Sequence, residues 1–218
     1  MLKYCNHGEE GAEMRVYTLC VGPVETNCYI LVTEKPPYHA LVIDPGYDED
    51  SIASLIFKVG AHLDAILLTH THFDHIEALD GLIGKTGASF YCPEKDAPAL
   101  TDFITNGSMI LFRYPVLVNA SPARLLRDGD VVELGDEKLT VIETPGHTVG
   151  SVCYDTGALL FTGDTLFRGG YGRTDLPGGR DDELHSSLMK LFSLSDRTVY
   201  PGHGKKSTLN AERRYFGA

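Results

Sequence analysis

The 218-residue sequence predicts a mixed α/β or α+β domain, on three observations. Short β-branched and apolar runs recur along the chain. Helical patterns with i, i+3, i+4, i+7 apolar spacing are interleaved with some of them. A hairpin-like cluster between Arg124 and Phe161 then breaks that alternation. Unbroken strand–helix alternation would favour an all-parallel sheet, so the hairpins call for a mixed one. At about 150 residues per domain the length gives one domain, two at most, with roughly 70% of the unfolded surface available for burial.

Taken in order, residues 1–13 are polar and are expected to form a disordered tail ahead of a single domain spanning 14–218. Strands are expected at 15–20, 28–33 and 40–43. A helix follows, because Ile52, Leu55, Ile56 and Val59 lie on one face behind the acidic turn Asp48, Glu49 and Asp50. After a strand at 65–68, Ile76, Leu79, Leu82 and Ile83 give a second helical face. Residues 91–122 carry no clear period and read as an insertion or lid with two short helices. Strands at 139–142, 151–154 and 158–161 are punctuated by Asp128-Gly129 and Thr156-Gly157 turns. Leu184, Leu188, Leu191 and Phe192 form a third helical face behind Asp181, Asp182 and Glu183, and a strand at 198–200 precedes a short basic C-terminal segment.

Composition narrows the function. Nineteen Lys and Arg against 30 Asp and Glu give a net charge of −11, which argues against nucleic acid and anionic membranes as partners, since both draw on clustered positive charge. Five scattered cysteines with no Cys-x-x-Cys pair argue against a disulfide framework or zinc ribbon, and Cys20, Cys28 and Cys153, each inside an apolar run, are expected to be buried. No apolar run approaches the roughly 18 residues of a membrane span, and residues 1–13 lack a signal-type apolar core. The expected setting is cytoplasmic and the expected partner a small-molecule substrate; oligomeric state is not addressed by the sequence.

The chemistry concentrates at strand ends. Val42-Ile43-Asp44-Pro45-Gly46, Val141-Ile142-Glu143-Thr144-Pro145-Gly146-His147 and Thr198-Val199-Tyr200-Pro201-Gly202-His203 each end an apolar strand in Pro-Gly. Proline halts the strand and glycine permits a sharp turn, so the following side chain is presented from a tight loop. Another strand runs into Thr69-His70-Thr71-His72-Phe73-Asp74-His75, and another into Thr162-Gly163-Asp164. Three imidazoles and a carboxylate within six residues have no packing use between an apolar strand and an amphipathic helix. His70 and His72, two apart, point the same way and can grip one ion, while Asp74 and His75 can face a second. His7, His39, His62 and His185 lack ligand-type neighbours and read as ordinary residues.

These motifs, with Phe161-Thr162-Gly163-Asp164-Thr165-Leu166-Phe167 and Pro201-Gly202-His203-Gly204, resemble the metallo-β-lactamase-fold hydrolases from about residue 21 to 203. The resemblance implies an α+β, αββα sandwich of two mixed β-sheets flanked by helices, with metals at one edge. It implies His70, His72 and His147 on one metal, Asp74, His75 and His203 on another, and Asp164 bridging both. Asp44, matching the family's first motif, and Thr69 are expected to orient ligands from behind, although a turn-forming role suits Asp44 equally. The implied cofactors are two divalent ions, zinc first, with iron or manganese as alternatives. Two cations sharing a carboxylate and a water lower that water's pKa from about 15.7 towards about 7, so the resulting hydroxide can attack a carbonyl without a Ser or Cys nucleophile. Asp74 is the expected catalytic carboxylate, accepting a hydrogen bond from the nucleophile.

Within the family, residues 168–179 resemble the glyoxalase II-like branch, which implies hydrolysis of hydroxyacylglutathione-type thioesters. Arg173 falls where that branch has a glutathione-contacting Lys; it either binds a substrate carboxylate or braces the loop against Asp175, the second being favoured. Tyr171 and Lys205 are further substrate-contact candidates. Glyoxalase II carries a helical domain after its last metal His, where this sequence has 205–218 only, so glutathione recognition is expected to differ. The same Gly-Arg-Thr-Asp run also resembles persulfide dioxygenases, implying one Fe(II) on His70, His147 and Asp164. A non-catalytic metal-binding module is the third class, disfavoured because all seven ligand positions are filled.

Overall fold

The structure, a computed structural model, describes residues 5–7 and 14–218. The expected tail at 1–13 therefore lies outside the described residues, except for β1 (Cys5–His7), whose backbone pairs antiparallel with β2 (Met14–Val21). The first sheet continues through β3 (Thr26–Thr33), β4 (His39–Ile43), β5 (His62–Leu67), β6 (Ser89–Pro93) and β7 (Arg124–Leu126) in that spatial order. It is antiparallel as far as β4 and parallel beyond. The second contains β8 (Val131–Leu134), β9 (Glu137–Glu143), β10 (Val152–Asp155) and β11 (Leu159–Gly163) as an antiparallel meander. A short hairpin of β12 (Leu166–Phe167) and β13 (Gly170–Tyr171) follows. Then β14 (Thr198–Pro201) adds parallel to β11, and β15 (Ser207–Thr208) closes that edge. Both sheets are mixed, as the hairpins required.

The layering follows from the two-residue period of a strand. Along β3, Tyr29 and Leu31 point between the sheets while Cys28, Ile30 and Val32 point to the outer helices; β4 divides Leu41 and Ile43 from Ala40 and Val42 in the same way. In the second sheet Tyr154, Phe161 and Tyr200 face inward, whereas Cys153, Leu160 and Val199 face outward. A strand buried on both faces reads as a continuous apolar run, and these do. Helices α1 (Glu49–Val59), α2 (Phe73–Ile76) and α3 (Leu79–Thr86) cover the first sheet through Ile52, Leu55, Ile56, Phe73 and Leu82. After α4 (Ser108–Leu111), a single turn in the 91–122 region, α5 (Asp181–Phe192) and α6 (Leu209–Phe216) cover the second through Leu184, Leu188, Leu191 and Leu209. The result is the αββα sandwich.

Three expectations are corrected. The helical face from Ile76 to Ile83 belongs to two helices, because the Ala78 N–H leaves the helix ladder to donate to Pro45 O at 3.1 Å. The reason is a close backbone approach: a Cβ on Gly46 would lie 1.8 Å from Asp74 O, so only glycine fits there. The 91–122 region is not wholly an insertion, since it opens on β6, a buried parallel strand of the first sheet. Cys20, read as buried, is exposed on β2. No helix among the described residues is long and apolar enough to cross a membrane.

Candidate metal centre

The chemistry-bearing residues all follow the ends of β4, β5, β9, β11 and β14. His70 and His72 lie in the loop after β5, with Asp74 and His75 in the first turn of α2; His147 follows β9, Asp164 follows β11 and His203 follows β14. The two sheets are stitched together there. The Asn27 amide nitrogen donates to Pro201 O and Gly204 O, and its backbone N–H to Gly202 O, which fixes the His203 loop against β3.

Among the described residues, three groups of three possible ligand atoms lie within 4.8 Å of one another: His70, His72 and His147; Asp74, His75 and His203; and Asp44, His70 and His75, which shares its imidazoles with the first two groups. In the first, His72 Nδ1 and His147 Nε2 meet at 2.8 Å. In the second, Asp74 Oδ2 lies 3.2 Å from His203 Nε2 and 3.6 Å from His75 Nε2. Asp164 stands between them, with Oδ1 3.4 Å from His75 Nε2 and Oδ2 3.5 Å from the Nε2 atoms of both His147 and His203.

The hydrogen-bond pattern tests whether these residues suit cations. Asp44 is buried, with its backbone in the left-handed region (φ +54°). Its carboxylate accepts from Thr69 N (2.7 Å), Thr69 Oγ1 (2.6 Å) and His75 Nδ1 (2.9 Å). The hydroxyl that donates to Asp44 in turn accepts from His70 Nδ1 at 3.0 Å, and His147 Nδ1 donates to Arg173 O at 2.7 Å. Each of these histidines thus commits Nδ1 as donor to an outer acceptor, which in the neutral ring leaves the Nε2 lone pair facing inward. His70 Nε2, His75 Nε2 and Asp164 Oδ1 are buried with no hydrogen-bond partner. Such orphaned acceptors are costly unless a cation takes their lone pairs, and their convergence fits divalent metal ions.

Electrostatics separates the two groups. Burial, reinforced by neighbouring imidazoles, drops His72 to about 3 and His70 well below its usual range. For His75 burial acts in the same direction, but the carboxylates of Asp74, Asp164 and Asp44 outweigh it and hold the ring well above the ordinary value. His203 is likewise pushed up to about 10, its bonds to Asp164 and Asp74 overcoming desolvation. Asp74 and Asp164 are both lowered, because the nearby His75 and His203 more than offset the penalty of burial.

The model of the Metallo-beta-lactamase superfamily matches residues 21–203. The chain belongs to that superfamily. A Bacillus subtilis protein named "Probable metallo-hydrolase YqgX" is 39% identical over 198 residues, covering 88% of this chain and 92% of its own. The crystal structure of the BLEG-1 B3 metallo-β-lactamase is 35% identical and superposes with a TM-score of 0.85, covering 90% of this chain and 95% of the other. That of TTHA1623 in a di-iron-bound form is 33% identical with a TM-score of 0.78, covering 91% and 97%.

As a superfamily member, the chain brings together all seven residues singled out in its sequence, with Asp44 and Thr69 directly behind them. Among the described contacts, none of the three substrate candidates bonds this constellation through its side chain. Arg173 forms a bidentate pair with Asp175 (2.6 and 2.8 Å) in the open, and it is its carbonyl that holds His147. Tyr171 is half exposed, its ring 5.9 Å from that of Phe216 on α6, and Lys205 is exposed in the loop after His203. Sequence reasoning missed two residues that touch this machinery. Thr26 donates to Asp74 Oδ2 at 3.0 Å. Asp96 is buried and accepts hydrogen bonds from the loops carrying His72 and His147. Asp96 sits in the unreadable 91–122 stretch, where a lone Asp before Ala-Pro looks like an ordinary turn residue.

Proposed function

We propose that this protein is a dinuclear metal-dependent hydrolase acting on thioesters of the hydroxyacylglutathione type. The observation that carries this reading is Asp164, whose two oxygens face the two ligand sets at once. His70, His72 and His147 would hold one divalent ion, Asp74, His75 and His203 the other, with Asp164 shared. Two such ions supply Lewis acidity and a strongly acidified water at neutral pH.

The chain's own residues then perform distinct tasks. His70, His72, His75 and His147 are buried, so bulk water is kept from the inner wall; the outer side is the flank where the Asp74, Asp164 and His203 side chains are 14%, 11% and 26% exposed. A thioester carbonyl therefore approaches over Asp164 from that flank. Asp74, steadied by Thr26, accepts a hydrogen bond from the attacking water and orients it. The Asp44 carboxylate holds His75, and the Arg173 carbonyl holds His147, in one tautomer throughout. The resemblance of residues 168–179 to the glyoxalase II-like branch supports a thioester, while the pairing of Arg173 with Asp175 leaves glutathione recognition to other groups.

A panel of glutathione thioesters, simple alkyl thioesters, lactones and β-lactams tests the proposal. Thioesters are expected to give the highest kcat/KM. β-Lactam turnover exceeding theirs would replace the substrate class, and O₂ uptake on glutathione persulfide without hydrolysis would replace the chemistry.

A further inference from the structure

Among the described residues Asp96 forms no ion pair with a Lys or Arg that would explain its burial. It lies in the turn after β6, is 2% exposed, and its neighbour Lys95 pairs with Glu143 instead. Its carboxylate meets four donors: Oδ2 accepts from Thr71 N at 3.1 Å, Thr148 Oγ1 at 2.8 Å and, more weakly, Thr71 Oγ1 at 3.5 Å, and Oδ1 from Gly150 N at 2.7 Å. Thr71 lies between His70 and His72, and Thr148 directly follows His147. One side chain thus ties together two loops that come from different sheets and between them carry every member of the all-histidine set. The approach is built in: a Cβ on Gly150 would lie 2.5 Å from Asp96 N and 2.6 Å from Oδ1, which leaves room for glycine only. A brace needing only shape could be neutral, since burying an unpaired carboxylate costs several kcal/mol before its hydrogen bonds offset that cost. A negative charge next to the His147 loop, by contrast, favours a cation there and is of no use to packing.

We propose that Asp96 is a positioning residue for the His70–His72–His147 set, clamping its two loops in register and biasing that set, and not the Asp74–His75–His203 set, towards holding a cation. This rests on the reading of the site as a metal centre, but not on which substrate is hydrolysed. Asn at this position keeps the shape, yet loses the charge and turns an NH₂ towards one of the donors. Thr148→Val removes a single bond and keeps the charge.

The test is Co(II) titration of metal-stripped wild-type, Asp96→Asn and Thr148→Val proteins. The visible absorption of the ion distinguishes nitrogen-rich from mixed oxygen–nitrogen coordination, and melting curves are taken with and without Co(II). Affinity at the nitrogen-rich set is expected to fall about 10–100-fold in Asp96→Asn, with a shifted absorption band, and several-fold in Thr148→Val. The mixed set should stay within about twofold of wild type on the same scale. Equal affinities at both sets in the two variants, with the same melting loss in stripped and loaded forms, would overturn the proposal and leave Asp96 an ordinary core brace. Should Asp96→Asn fail to fold, Thr148→Val decides by the same criterion. Wild-type protein taking up no Co(II) at a nitrogen-rich set would instead sink the metal-centre reading, and this inference with it.

Discussion

The two ligand sets on either side of Asp164 are close neighbours with opposite electrostatics. In the His70–His72–His147 set, His70 and His72 are buried and driven below their usual range by desolvation and by neighbouring imidazoles. The Asp74–His75–His203 set is rich in carboxylate, so its imidazoles are driven up and hold protons. Ligand type alone accounts for the difference. At His70 and His72 desolvation and the neighbouring imidazoles outweigh the pull of Asp164, whereas at His75 and His203 Asp74 and Asp164 together overcome burial. Both sets offer lone pairs to a cation, but His70 and His72 are already stripped of protons, while His75 and His203 must give theirs up.

The largest effect is expected where the sets meet. Asp164→Asn replaces the shared carboxylate with a group that cannot serve both sides, and kcat/KM is expected to fall on the order of 10³-fold or more, with metal content reduced at both sets. Retention of two ions per chain would show that Asp164 is not shared. His72→Ala should be more selective. Hydrolysis is expected to drop by about 10²–10³-fold, while the mixed set keeps its ion and the stripped protein melts close to wild type. Undiminished activity would remove the two-ion account, and retained O₂ chemistry would favour a single-iron site.

The contrast in protonation gives a third prediction, read by calorimetry of metal binding in buffers of different ionisation heat. His75 and His203 are raised groups, so each carries a proton at pH 7 that a cation must expel. Binding at the mixed set should release protons, weaken as pH falls, and strengthen as pH rises towards the His203 value of about 10. His72, at about 3, and His70, held well below its usual range, are already neutral, so neither should release a proton on binding between about pH 5 and 8, and binding at the all-histidine set should depend on pH less steeply than at the mixed set. The smallest effect is expected at Arg173. Its pair with Asp175 is exposed and screened by solvent, and His147 uses the Arg173 carbonyl, so Arg173→Ala should leave metal content unchanged and shift KM by less than about threefold. A tenfold rise in KM for glutathione thioesters would make Arg173 a substrate contact after all.

The ligand residues were legible because their chemistry is local in the chain. Four of them fall within His70 to His75, and the others follow strands that end abruptly in Pro-Gly or Gly-Asp. The sandwich core was legible for a related reason: strands buried on both faces, such as Thr26–Thr33, leave uninterrupted apolar runs. The split between Phe73–Ile76 and Leu79–Thr86 was not, because it depends on Gly46 and Pro45 pressing against Asp74 and Ala78 from 30 residues away. Asp96 and Thr26 escaped notice on the same grounds. Each is a single polar residue without a local pattern, and each acquires its role only when a loop distant in sequence is packed against it.

The most direct test of two unlike ion sets joined through Asp164 is a count of ions per chain by elemental analysis, on protein purified without added metal and then stepwise stripped by a chelator. The account predicts two divalent ions that leave in separate steps, the mixed-set ion leaving first as pH is lowered. One ion per chain, or two leaving together with no difference in pH dependence, would contradict it.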